Sequence, residues 1–141
     1  MQKLFNIVML SILLLVAAQA PAGIVVIVNN ENPVSELSKR EIIDIYMGRN
    51  LYFSDGKLAL RLDHPPTSGE REQFYQTLVK KSVAQMNAYW AKLLFTGRAS
   101  PPLLMGDSEQ LLDTVRNNRN AIGYIEESNL DGSVKVVGRV D

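Results

Sequence analysis

Apolar residues along the chain alternate between short unbroken runs and helical spacings. "IVVIVN", Ile24 to Asn29, is an unbroken, β-branched run that predicts a strand covered on both faces. Beyond it, Ser38 with Glu41 forms a capping box, Ile42, Ile45 and Tyr46 supply an apolar stripe, and Gly48 ends the predicted helix. After a turn-bearing loop, "LALRLD", Leu58 to Asp63, alternates as a second strand. Thr67 with Glu70 marks the next helix start, with Phe74, Leu78 and Tyr75 on its inner face.

Ser82 with Gln85 opens a further helix, in which Met86, Tyr89, Trp90, Leu93 and Leu94 are spaced for burial and which Gly97 closes. The aromatic cluster Tyr89, Trp90 and Phe95 reads as core, because its spacing is that of a buried helical face. "RASPPLLMGD" reads as a loop, since two prolines cannot continue a helix. Asp107 with Gln110 begins a helix carrying Leu111, Leu112 and Val115. "AIGYIE" and "VKVVGRV" are predicted strands, with a short turn or helix at "ESNL" between them. Strands interleaved with helices predict the α/β class: a single three-layer sandwich with a mostly parallel sheet built by right-handed crossovers.

The N-terminal stretch has a different character. One lysine precedes an apolar run from Leu4 to Ala18, followed by the small residues of Ala20-Pro21-Ala22. This predicts a secretory signal peptide over residues 1–22, cut before Gly23, with 23–141 as one domain. An uncleaved anchor is the competing reading, but no basic cluster follows the run. Export predicts a periplasmic location.

Removing Lys3 lowers the count of 15 basic residues to 14, against 15 acidic ones. Such a balance gives no general attraction to nucleic acid or anionic lipid. With no cysteine and a single histidine, His64, a Cys/His zinc site is excluded and no cofactor or metal is expected. A hydrolase pairing His64 with Ser68 lacks an evident third group, so no enzyme activity is expected.

The stretch "DHPPTSGEREQF", Asp63 to Phe74, carries the candidate chemistry. If Thr67 caps the helix through the amide of Glu70, the amides of Ser68 and Gly69 stay free at the positive end of the helix dipole. With the Ser68 hydroxyl and the missing side chain at Gly69, they would form an anion cradle. Arg71 in the first turn opposes the dipole, which is easier to understand beside an anion, although pairing with a neighbouring acid would also explain it. Glu70 adds negative charge at the same place.

Several segments in order, "NPVSELSKREIIDIYMGRN", "SGEREQFY", "AYWAKLLFTGR" and "NAIGYI", resemble phosphate-type substrate-binding proteins of ABC transporters. The resemblance implies one lobe of a class-II periplasmic binding protein in a short, single-lobe form. In that family a Ser-Gly-Thr at a helix start grips the oxyanion; Ser68 and Gly69 match, and Glu70 replaces the threonine. The family's anion-binding arginine falls on His64, and its acidic proton acceptor falls on Pro66.

The reading that follows is a solute-binding domain holding a small oxyanion weakly through Thr67, Ser68, Gly69, Arg71 and His64. His64 would act as a pH-sensitive neighbour that gains charge in mildly acid solution. Expected partners are a phosphate-like anion, an ABC permease or another envelope protein, and a second copy that completes the clamp. The alternative is an envelope interaction module that has lost phosphate binding.

Overall fold

In the computed structural model the described residues are 23–141, and the proposed signal peptide lies outside them. Five strands form one sheet: β1 (Ile24–Asn29), β2 (Leu60–Asp63), β3 (Leu103–Leu104), β4 (Ala121–Glu126) and β5 (Val134–Val140), in the order β3-β2-β4-β1-β5. Parallel pairing joins β2 to β3 and to β4, whereas β1 runs antiparallel to both β4 and β5. Four strands therefore share one direction and β1 opposes them, so the sheet is mostly parallel with one reversed strand.

Among the described residues the four helices are α1 (Lys39–Tyr46), α2 (Gly69–Val79), α3 (Val83–Phe95) and α4 (Ser108–Asn117), with a short 3₁₀ turn at Glu127–Asn129. Strand β1 lies between two neighbours with both faces covered, which is why its run is apolar throughout. Ile24, Val26 and Val28 pack with Ile42, Ile45, Tyr46, Phe74, Tyr75, Met86 and Trp90 from α1, α2 and α3. Val25 and Ile27 pack on the opposite face with Leu111, Leu112 and Val115 of α4. The three layers follow from this split, each buried aliphatic or aromatic side chain contributing about 1.5–3 kcal/mol.

Helix starts match the predicted capping pattern at three of four places. Ser38 and Ser82 form complete capping boxes with Glu41 and Gln85, and Asp107 accepts from the amide of Gln110. The fourth is corrected: the cap of α2 is Ser68, whose hydroxyl accepts from the Arg71 amide at 3.3 Å. Thr67 is displaced because a turn closes just before the helix, the Ser68 amide donating to Pro65 O at 2.9 Å.

Three further expectations change. The Arg98–Asp107 loop contains the edge strand β3, whose pairing with β2 is remote in sequence. Strand β2 departs from its apparent alternation: Leu58 and Leu60 are exposed, while Arg61 and Asp63 are buried along with Leu62. At the C-terminal end of α3, Leu94 is exposed and Phe95 is 94% exposed, so neither joins the core. The apolar stripe continues past the edge of the sheet, and nothing among the described residues covers it.

Candidate functional site

Because β2, β3 and β4 run the same way, Asp63, Leu104 and Glu126 all end at one edge of the sheet. Helix α2 leaves this edge on one face and α4 on the other. In sheets of this kind, the crevice beyond the carboxyl ends of the strands is where ligands bind. Two polar clusters and one exposed turn occupy it.

The first cluster is centred on Asp63, which is 1% exposed. Its carboxylate accepts from the Tyr75 hydroxyl at 2.5 Å, from the Tyr124 hydroxyl, and from the His64 amide at 2.9 Å. Burial, then the charge of Asp63, pushes the hydroxyl pKa values of Tyr75 and Tyr124 well above the ordinary tyrosine range. Burial and Asp63 do the same to Tyr46, whose hydroxyl donates to Leu62 O at 2.9 Å. Arg71 completes the cluster, its Nε 3.9 Å from Asp63 Oδ2 and its Nη1 donating to His64 O at 3.4 Å.

The second cluster is gathered by Glu70. Its carboxylate accepts from Ser108 Oγ at 2.7 Å, at the start of α4, and from the Glu126 amide at 3.2 Å, at the end of β4. His64 Nε2 donates to Tyr124 O at 2.6 Å and lies 3.6 Å from Glu70 Oε2. A single carboxylate thus ties the two helix layers together across the strand ends. Hydrogen bonds to a charged acceptor of this kind contribute about 1.5–3 kcal/mol when well formed.

The five residues read as a candidate site are therefore not brought together on one surface. Thr67 and Gly69 are exposed on the turn, with Ser68 half-buried between them. His64, expected as a pH-sensitive neighbour of the anion, and Arg71 are both buried, and their side chains bond inward to Tyr124 O and His64 O. The amide of Ser68 is likewise not free, being spent on Pro65 O. What remains open is the N-terminus of α2 itself: the amides of Gly69 and Glu70, at its first two positions, have no partner inside the helix. A Cβ at Gly69 would meet nothing within 4 Å, so the residue answers no packing demand from this chain.

Sequence reasoning missed the Asp63 cluster and the role of Glu70. Asp63 stands at i+2 from Arg61 on one face of β2, which was the available signal that this face is polar and buried. No grouping of histidine, cysteine and carboxylates suited to a metal ion occurs among the described residues.

This edge, with a helix N-terminus exposed above a closed polar core, defines one lobe of a periplasmic-binding-protein-like α/β fold. Solved structures similar to the chain carry that definition further. A phosphate ABC transporter substrate-binding protein from Clostridium perfringens, described with bound phosphate, matches with a TM-score of 0.68 at 26% identity, over 84% of this chain and 45% of that one. An ABC-type phosphate transport receptor from Vibrio cholerae matches with a TM-score of 0.67 at 21% identity, over 84% and 46%. PstS from Borrelia burgdorferi matches with a TM-score of 0.64 at 11% identity, over 84% and 47%. The chain thus spans less than half the length of these structures. No protein-family model matches it, and no curated protein matches by sequence.

Proposed function

We propose that the chain is an exported, non-enzymatic solute-binding lobe of the phosphate-receptor type, working in the periplasm. It contacts a small oxyanion at the first turn of α2. The observation that carries this reading is the exposed helix start at the carboxyl edge of β2. There the Gly69 and Glu70 amides lack helical partners, and Gly69 leaves open space for close approach. Helix N-termini favour anions through these amides and the dipole.

Affinity is weak for two physical reasons. The guanidinium of Arg71 is committed inward, and the Glu70 carboxylate adds like charge beside the site. A role beside an ABC permease belongs to the same proposal, drawn from the transport receptors the fold resembles. Calorimetric titration with phosphate and sulfate tests it. Saturable millimolar binding, weakened several-fold by Gly69→Val, is expected, and no heat with either anion would sink it.

A second reading, an envelope interaction module, is favoured by the exposed apolar side chains of Leu94, Phe95, Leu103 and Leu104. Light scattering after size exclusion, with Phe95→Ser as the comparison, separates the two. Self-association that this variant abolishes, together with silent anion titrations, would favour the module.

A further inference from the structure

Among the described residues, three buried side-chain nitrogens have no hydrogen-bond partner: Arg61 Nη1, Arg71 Nε and Trp90 Nε1. All three are donors, and they are neighbours. The Arg61 guanidinium stacks 5.6 Å from the centre of the Trp90 ring, while Arg71 and Trp90 both line a cavity of about 260 Å³ between α2, α3 and the Pro101–Leu104 segment. Buried donors in native proteins nearly always have an acceptor, so two left over on residues lining one cavity, with a third on Arg61 behind Trp90, call for a common explanation.

The remaining wall is mostly apolar, formed by Pro66, Ala91, Leu94, Pro101, Pro102 and Leu104, with Asn87 as its one further polar residue. Asp63 also borders the cavity, but its carboxylate already accepts from Tyr75, Tyr124 and the His64 amide. Arg61 directs its Nη2 to Ser100 O at 2.7 Å, next to the two prolines, which leaves its Nη1 unspent. Arg71, the cation lining the cavity, reaches the Asp63 carboxylate only at 3.9 Å, and that carboxylate is already occupied, so the cavity wall has a surplus of donors.

We propose that this cavity is a second ligand site, separate from the α2 turn, for a small carboxylate with an apolar body. The carboxylate would take the unspent donors near Arg71 and Trp90, and the body would lie against the prolines and leucines. The volume, about 260 Å³, lies just below the range for small-molecule sites of about 300–1,000 Å³. A compact acid suits it better than a long-chain one. Phosphate does not match an apolar wall of this extent.

Trp90 is the single tryptophan of the chain and reports the site directly. Its fluorescence is followed during titration with cyclohexanecarboxylate, with its neutral analogue cyclohexylmethanol, and with inorganic phosphate. The expected result is a saturable change with the carboxylate, binding weakened about tenfold or more for the alcohol because the charge-assisted hydrogen bonds are lost. Arg71→Gln should weaken the carboxylate to the same degree. Ala91→Leu, a substitution of an exposed helical residue that fills the cavity without touching a donor, should weaken acid and alcohol together. No saturable change with the acid would overturn the proposal, and so would equal affinity for the alcohol. Saturation of the Trp90 signal by phosphate alone would also overturn it, whereas phosphate heat without a Trp90 response leaves the α2 turn and this cavity as separate sites.

Discussion

The Asp63 cluster and the Trp90 cavity lie on the same face of β2 and share Arg71, yet one is closed and the other open. Around Asp63, two hydroxyls and an amide hydrogen-bond one carboxylate, with the Arg71 guanidinium 3.9 Å away, so the carboxylate and both hydroxyls have counterparts. Around Trp90, three donors have none. The difference teaches how to separate structural polarity from functional polarity in this molecule. A satisfied cluster holds the strand end in place, and a surplus of one hydrogen-bonding type leaves a demand that something outside the chain can meet.

The largest expected effect breaks the closed cluster. Asp63→Ala removes the only carboxylate facing Arg71 there and strands two tyrosine hydroxyls. Loss of one partner of a buried charge pair destabilises by about 3–5 kcal/mol. Urea unfolding followed by circular dichroism measures it, and a loss near zero would show that the cluster does not hold the strand end.

Next comes alkaline pH. The hydroxyl pKa values of Tyr46, Tyr75 and Tyr124 are raised in the folded state, so the neutral hydroxyl is favoured by folding. Their contribution is therefore complete below the ordinary tyrosine value of about 10 and is lost as pH rises past it towards the folded values. Tyrosinate absorbance and circular dichroism should change together above that pH. Ionisation of these three tyrosines with the fold intact would contradict the closed cluster.

A smaller effect is expected at Glu70, whose side chain is only partly exposed. Glu70→Gln should destabilise by about 1 kcal/mol as a charged acceptor for Ser108 and Glu126 is lost. It should also tighten phosphate binding several-fold, because the competing charge leaves the α2 turn. Calorimetry on the same variant reads both outcomes. The smallest effect belongs to Gly69→Ala, where the added Cβ meets open space. Thermal unfolding should show no loss, or a gain of about 0.4–1 kcal/mol.

Much of the frame was legible in the chain. The unbroken run of β1 announced a strand covered on both faces, and the caps at Ser38, Ser82 and Asp107 announced three helices, because these signals are local. The fourth cap shifted by one residue because Thr67 and Ser68 both stand three before a backbone amide. The Pro65–Ser68 turn decides between them.

Strand β3 escaped notice because two residues carry no periodicity and their partner is about forty positions away in the chain. The exposure of Phe95 escaped for a related reason: helical spacing identifies a face, but what covers that face is set by tertiary packing. The candidate site was legible as a turn and not as a constellation. Whether His64 and Arg71 face outward depends on Tyr124, Tyr75 and Asp63, which reach them only in the fold.

The central claim is that the first turn of α2 receives a small oxyanion. A nitrogen–proton correlation spectrum of residues 23–141 during phosphate titration tests it most directly, since the backbone amides and the Trp90 indole report side by side. The account predicts saturable shifts at Gly69 and Glu70 while the indole resonance stays in place. Unmoved amides at the start of α2, at phosphate concentrations well into the millimolar range, would contradict it.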